Sequence, residues 1–328
     1  MSEIGRMIAE PIPLGAGNVA GWKDVPIVES HEIVVPIGRK TEYEGIYTDA
    51  VYVGERISSP YFHNPIEGSN HTIFTRKSVA EALVLAQEKL PIRMRLIVFD
   101  AHRPFSAQKA LYDRYFTTLR GLWSRATEDE LATETAKYVS APSTSSERPS
   151  PHNTGGAVDL AIVELASKRD GFKLAGSSVT QHERDQILSG AKMVPFGTPF
   201  DYGGPEAALD SLEKARTERM LTQDEEDALF NRRLLFHVMS SVGLQPYGEE
   251  WWHYNATGAQ MGAKVAGHQI AEFGPVTLSE NNLAHERVIR EDYTRRLKKF
   301  KRGSITVSPI ATQVNEVATI LPSAPDSV

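Results

Sequence analysis

Two stretches of the chain carry the residue types that could do chemistry. They are Ser150-Pro151-His152-Asn153-Thr154-Gly155-Gly156-Ala157-Val158-Asp159 and, far downstream, Glu249-Glu250-Trp251-Trp252-His253. Together they offer two imidazoles, an aspartate and a spare glutamate. Such a set can hold a zinc ion with one coordination position open and a base beside it. Asp159 follows His152 by seven residues, across a Gly155-Gly156 pair whose backbone can turn tightly or approach a ligand. It also lies near the start of an apolar run, Val158 to Leu165, that reads as a strand. A carboxylate in such a strand is unfavourable unless it is paired or ligates a metal, so Asp159 is expected to have a partner. The chain contains no cysteine. Disulfides and thiolate sites are therefore excluded, and any metal must be held by His, Asp or Glu.

The elements that must position these residues are partly readable. Pro142, Pro149 and Pro151 punctuate Lys137 to Pro151, which reads either as a domain linker or as a loop delivering His152 into a cleft; the glycine pair and Asp159 favour the second. Tyr247, Trp251, Trp252 and Tyr254 point to a largely buried strand. Glu250 and His253 are three apart and would face opposite sides of an ideal strand, so both reach one site only through a twist or bulge.

Upstream, residues 1–25 read as an irregular lead, and Ile33–Ile37 and Ile46–Val53 as strands. Lys77 to Leu90 has helical spacing closed by Pro91, and Met94 to Phe99 suits a buried strand. That strand ends at Asp100-Ala101-His102-Arg103-Pro104, after which Ser106 is expected to cap a helix bearing Leu111, Tyr115 and Leu119. Arg103 is thus either a functional side chain where strand gives way to helix or a surface arginine paired with Asp100. Residues 166–192 are polar, with a short helix expected at His182–Leu188. Val194 to Gly204 is a rigid, turn-rich loop in which Asp201, between aromatics, can receive a cationic group or cap a turn. Thr222 and Glu225 form a capping-box pattern opening a helix that Gly243 ends, and His237 within it reads as structural.

With 328 residues, one large domain or two smaller ones are expected, and 41% hydrophobic content suffices for a globular core. The net charge of -6 offers no electrostatic reason to expect nucleic acid as the partner. The basic segment Glu286–Arg302 accordingly reads as a solvated helix face or an oligomer contact before it reads as an anion-binding patch. Gly303 to Val328 is an ordered arm or a frayed tail. Met1 to Gly15 lacks the apolar core of an export signal, and no run is long enough to span a membrane, so a cytoplasmic protein is expected. There is no internal repeat and no phosphate-cradling glycine loop.

Taken together, Arg103-Pro104, Ser150 to Asp159, Val194 to Asp201 and Glu250-Trp251-Trp252-His253 resemble the zinc D,D-peptidases. More narrowly they resemble the D-alanyl-D-alanine dipeptidases associated with vancomycin resistance, over roughly residues 30 to 260. The resemblance implies an α+β fold with a central antiparallel sheet flanked by helices and zinc in a cleft, as in the D,D-peptidase and Hedgehog-like folds. It implies Zn2+ as cofactor, with His152, Asp159 and His253 as ligands and Glu250 as catalytic base. Arg103 would stabilise the transition state, and Ser150 and Asp201 would bind the dipeptide. Residues 1–260 are then a catalytic domain with its lead, and 261–328 an extension without a counterpart, read as an oligomerisation arm. The stretches 166–192 and 203–221 exceed the compact members of the family.

The expected activity is hydrolysis of a small dipeptide, D-Ala-D-Ala or a related D-amino-acid dipeptide, serving resistance, cell-wall recycling or a specialised pathway. Alternatives are a zinc carboxypeptidase or amidase-like hydrolase of another small peptide, and a non-catalytic zinc-binding module. An iron oxygenase is weaker, because its carboxylate usually follows the first histidine by two residues and Glu250 would have no job.

Overall fold

A computed structural model describes residues 3–54, 59, 61–175 and 179–301. The strands are β1 (Val34–Ile37), β2 (Tyr47–Thr48), β3 (Ile73–Arg76), β4 (Met94–Asp100), β5 (Ala157–Glu164), β6 (Lys192–Met193), β7 (Leu244–Tyr247) and β8 (Glu250–Ala256). β1 pairs with β3, and the main sheet runs β2-β4-β5-β8-β7 with β6 on the far end of β5. In β5 all but the last residue is buried, so both of its faces are covered. Both β4 and β5 read as near-continuous apolar runs for that reason.

The helices are α1 (Glu3–Ala9), α2 (Lys77–Lys89), α3 (Phe105–Leu122), α4 (Glu128–Tyr138), α5 (Lys168–Ala175), α6 (Gln181–Ser189), α7 (Ser211–Glu218), α8 (Gln223–Ser241), α9 (Gln260–Val265) and α10 (Glu280–Lys301). Val79, Leu83 and Ala86 of α2 and Leu234, Leu235 and Val238 of α8 join the strands in one core. The architecture is α+β. The sheet departs from the expected antiparallel arrangement at one edge, where β2 runs parallel to β4.

Local signals explain most elements. α8 opens on a capping box in which Thr222 accepts from the Glu225 amide and Glu225 reaches back to Thr222. Four expectations are corrected. The lead is not irregular throughout, because Ile4, Met7 and Ile8 give α1 an apolar stripe that packs on the core. Only Tyr47–Thr48 of the 46–53 run is strand, and Val51–Val53 forms a tight 3-10 turn. Ser106 does not cap α3; Pro104 precedes its first residue and no side chain caps it. Ser106 instead approaches Gly68, where a Cβ would meet the Ser106 hydroxyl. The polar 166–192 stretch holds α5 as well as the expected short helix, seen as α6.

The stretch 271–286 beyond α9 lies against the rest of the molecule. Ala271 exchanges backbone hydrogen bonds with Pro26 and Val28, and the Val276 amide donates to the Asn153 carbonyl. Phe273 belongs to the main core. On α10, Asn282 donates to the Val34 carbonyl, and the Glu286 carboxylate accepts from the His71 and Thr72 amides. Arg290, Arg295 and Arg296 of the basic segment pair with Glu286 and Asp292 on the same helix. Arg302, the stretch 303–328, and the side chains of Lys298, Lys299 and Lys301 lie outside the described residues. Among the described residues no helix is long and apolar enough to cross a membrane.

Candidate active site

Sheet register assembles the centre. Asp100 of β4 stands opposite Asp159 of β5, which stands opposite His253 of β8. This row exists because β4 slips register between Val98 and Asp100. A second irregularity places Glu250. Pro246 pairs with Tyr254 but Tyr247 pairs with Glu250, so β8 bulges over Trp251 to His253. That is the departure from ideal strand geometry that the three-residue spacing requires. His152 arrives from the other side, on a 3-10 turn (Pro151–Thr154) that ends at Gly155 with φ +66. Gly156 beside it admits no side chain, since a Cβ there would lie 2.8 Å from the Phe273 ring.

One ligand atom each from His152, Asp159 and His253 falls within 4.8 Å of the others, and all three residues are buried. His152 Nε2 is 3.2 Å from His253 Nδ1, and the Asp159 oxygens lie 3.3 and 2.9 Å from those nitrogens. A tetrahedral zinc with bonds of about 2.0–2.1 Å has ligand–ligand edges of about 3.3 Å, so the triangle is the right size. The outer hydrogen bonds give the rings the right tautomers. His152 Nδ1 faces the Ala101 carbonyl at 2.8 Å, and His253 Nε2 faces the Asn255 amide oxygen at 3.2 Å. Each of those nitrogens therefore carries the proton, leaving His152 Nε2 and His253 Nδ1 as lone pairs aimed at one point. Two lone pairs and a carboxylate converging away from water call for a cation, so the residues fit a zinc ion.

The local charge has the same sign. Burial opposes ionisation of Asp159, yet His152 and His253 hold its carboxyl well below the usual range. Burial disfavours the charged form of His253, but Asp159 outweighs it and raises its pKa. Burial raises Asp100 against the pull of Arg103 and His152, and burial raises Asp201 despite the Tyr61 hydroxyl. Glu250, 3.7 Å from His253 Nδ1, is pushed up to about 8, first by burial and then by Asp159 and Asp201, with His253 pulling the other way. A divalent cation at the triangle would draw that proton affinity down.

Arg103 pairs with Asp100, Nε to Oδ2 at 2.7 Å, as one reading of it expected, but it is buried beside the triangle and is not a surface arginine. Its Nη1 donates to Gln108 Oε1 at 2.9 Å, and Nη2 to the Tyr52 hydroxyl at 3.1 Å and to Asp159 Oδ2 at 3.4 Å. Four of five N–H groups are thereby engaged, and one on Nη1 remains. The Tyr52 ring lies under the guanidinium, 4.8 Å from centroid to Cζ.

A cavity of about 240 Å³ opens on this centre, lined by all seven candidate residues, Arg103, Ser150, His152, Asp159, Asp201, Glu250 and His253. Ser150 is fully buried, its hydroxyl 3.5 Å from Gln108 Oε1. Asp201 takes a left-handed backbone, φ +63, which aspartate tolerates better than most residues. The aromatics around it fix its loop: Phe196 stacks on Trp251 at 4.1 Å, and Phe200 meets both Phe99 and Trp252. The Tyr61 hydroxyl donates to Asp201 Oδ2. Tyr52, Tyr61, Gln108 and Asn255 were not legible as site residues. Asn255, two residues after His253, was the one within reach of a motif argument. The others meet their partners only through the fold.

The family model for D-Ala-D-Ala dipeptidase matches residues 193–272. That segment carries Asp201, Glu250 and His253, while His152, Asp159 and Arg103 precede it and meet it only in the fold, Asp159 by pairing with His253 across the sheet. No curated protein is matched by the sequence. Over that stretch the chain is similar to D-Ala-D-Ala dipeptidases, which supports a peptidase.

Proposed function

We propose that the protein is a zinc-dependent dipeptidase that hydrolyses D-Ala-D-Ala or a closely related D-amino-acid dipeptide. The observation that carries the reading is the convergence of one ring nitrogen each from His152 and His253 with the Asp159 carboxylate at one buried point, with the Glu250 carboxylate beside it. His152, Asp159 and His253 would hold the ion. Bound there, zinc would supply Lewis acidity towards a water molecule and a peptide carbonyl.

The chain's own groups do the rest. Glu250 accepts the proton of the attacking water and hands it to the departing amine. The free Nη1 N–H of Arg103 donates to the oxygen on which negative charge develops. The four contacts around the guanidinium hold that donor still, so little reorganisation accompanies the reaction. Asp201, steadied by Tyr61, receives the substrate ammonium. Ser150 offers a hydroxyl just ahead of the turn that carries His152.

The test is a hydrolysis panel of D,D-, L,D- and L,L-dipeptides with the zinc-loaded protein, followed by release of free amine. Turnover of D-Ala-D-Ala well above the L,L pair is expected. A protein that binds zinc yet cleaves none of them is a zinc-binding module, and the proposal fails.

A further inference from the structure

We infer that Lys23 anchors the terminal carboxylate of the substrate and so makes the cavity selective for short peptides with a free C-terminus. The inference rests on the dipeptidase reading above. Lys23 lines the same cavity as Glu250, Asp201 and the His152–Asp159–His253 triangle. Among the described residues Arg103 is the one arginine lining it, and its hydrogen bonds are largely spent on Asp100, Gln108, Tyr52 and Asp159. The Lys23 ammonium, by contrast, has no carboxylate partner among the described residues and lies 5.1 Å from the centroid of the Trp22 ring. Its neighbour Arg148 is already paired with Asp24.

This lysine is also delivered by a fixed piece of backbone. It is the middle residue of a 3-10 turn, Trp22–Asp24. The buried Gln260 side chain donates to the carbonyls of Lys23, Val25 and Glu147 at 3.3, 2.6 and 2.9 Å. The turn is thereby stitched to the loop that leads into Ser150. A half-buried cation with only an aromatic ring and no anion beside it gains most from an anion that enters with its ligand. Burial, and then Arg148, lower the lysine's pKa, as such a position requires. A zwitterionic dipeptide has one group for each of the two charged anchors, its ammonium for Asp201 and its carboxylate for Lys23. Neither a C-terminal amide nor an extended chain satisfies both.

Steady-state kinetics with D-Ala-D-Ala and its C-terminal amide test this. Wild type should prefer the free acid. Lys23→Ala should raise KM for the acid about 10- to 100-fold, the range of one lost charge-assisted hydrogen bond, with kcat within a few-fold and the amide unaffected. Lys23→Arg should restore most of the preference, and Lys23→Glu should reverse it. Zinc content and circular dichroism, unchanged across the series, exclude misfolding. If Lys23→Ala keeps the wild-type ratio of acid to amide, the assignment is wrong while the dipeptidase reading stands. If wild type cleaves neither compound, both fall together.

Discussion

The two sides of the cavity are held by different means. Asp100, Asp159 and His253 form a row fixed by strand register, and the rings of His152 and His253 are each locked by a second hydrogen bond. Asp201 and Lys23 hang on loops, one placed by aromatic stacking and a tyrosine hydroxyl, the other by a glutamine stitch. Register shared among strands resists change at any single residue, whereas a loop can be re-aimed by changing one contact. The contrast is the expected division between groups that must meet an ion to within a fraction of an ångström and groups that select a substrate. Variants on the register side should therefore damage metal binding or chemistry, and variants on the loop side should damage KM.

Glu250→Gln is the largest break. It removes the proton acceptor while leaving the triangle intact, so zinc stoichiometry should hold and kcat should fall about 10³-fold or more. Normal turnover in that variant would take Glu250 out of the mechanism. Arg103→Lys comes next. It keeps a positive charge near Asp100 but cannot reproduce the fork that also reaches Gln108, Tyr52 and Asp159. A loss of about 10²-fold in kcat is expected, with little change in zinc affinity. A parallel loss of zinc would make Arg103 a structural brace instead.

Asn255→Ala sharpens the comparison because Asn255 does not itself line the cavity: its amide oxygen faces His253 Nε2, and its amide nitrogen donates to Met261 Sδ. Without the amide oxygen, His253 is free to change tautomer and rotate. Competition with a chromophoric chelator should show zinc affinity weakened about 10- to 100-fold. Asn255→Asp, which retains an acceptor oxygen, should recover most of it. Unchanged affinity in the alanine variant would mean that packing alone orients the ring.

The same division explains what could be read before the fold was known. α2, β4 and the capping box of α8 were legible because their signals are local: apolar spacing, a closing proline, a threonine three residues before a glutamate. α1 was obscured by the prolines and glycines that follow it, and α4 was overlooked although Thr127 and Glu130 form the same box. In the site, the metal-type residues stood out because histidine and carboxylate at such spacings have few other uses. Their supports did not. Tyr61 and Asp201 are 140 residues apart, and Tyr52 and Arg103 are 51 apart, so no local pattern links them. The register slip at Val98–Asp100 leaves no mark in an apolar run. The bulge in β8 was inferable only because two functional residues demanded it.

The smallest expected effect lies outside the cavity lining, where α10 is fastened by Glu286. Its side chain is only 6% exposed, so solvent screens the contact weakly. Burial pushes this carboxyl up, but the His71 ring and the His71 and Thr72 amides outweigh burial and hold it at about 2. The folded value lies below the unfolded one of about 4.3. Its contribution is therefore complete above the unfolded value and disappears as pH falls from there towards 2. A tenfold change in proton affinity is worth roughly 1.4 kcal/mol. Allowing for the hydrogen bonds that an amide retains, Glu286→Gln should be less stable than wild type by about 2 kcal/mol near neutrality. The gap should narrow steadily below pH 4. Because no described side chain of α10 lines the cavity, kcat and KM for the variant should match wild type under conditions where it is folded. Urea unfolding midpoints of both proteins across pH 3 to 7 measure the gap. A difference that stays constant to pH 3 would show that Glu286 acts through shape and not through its charge, and a changed KM would show that the α10 attachment reaches the substrate side after all.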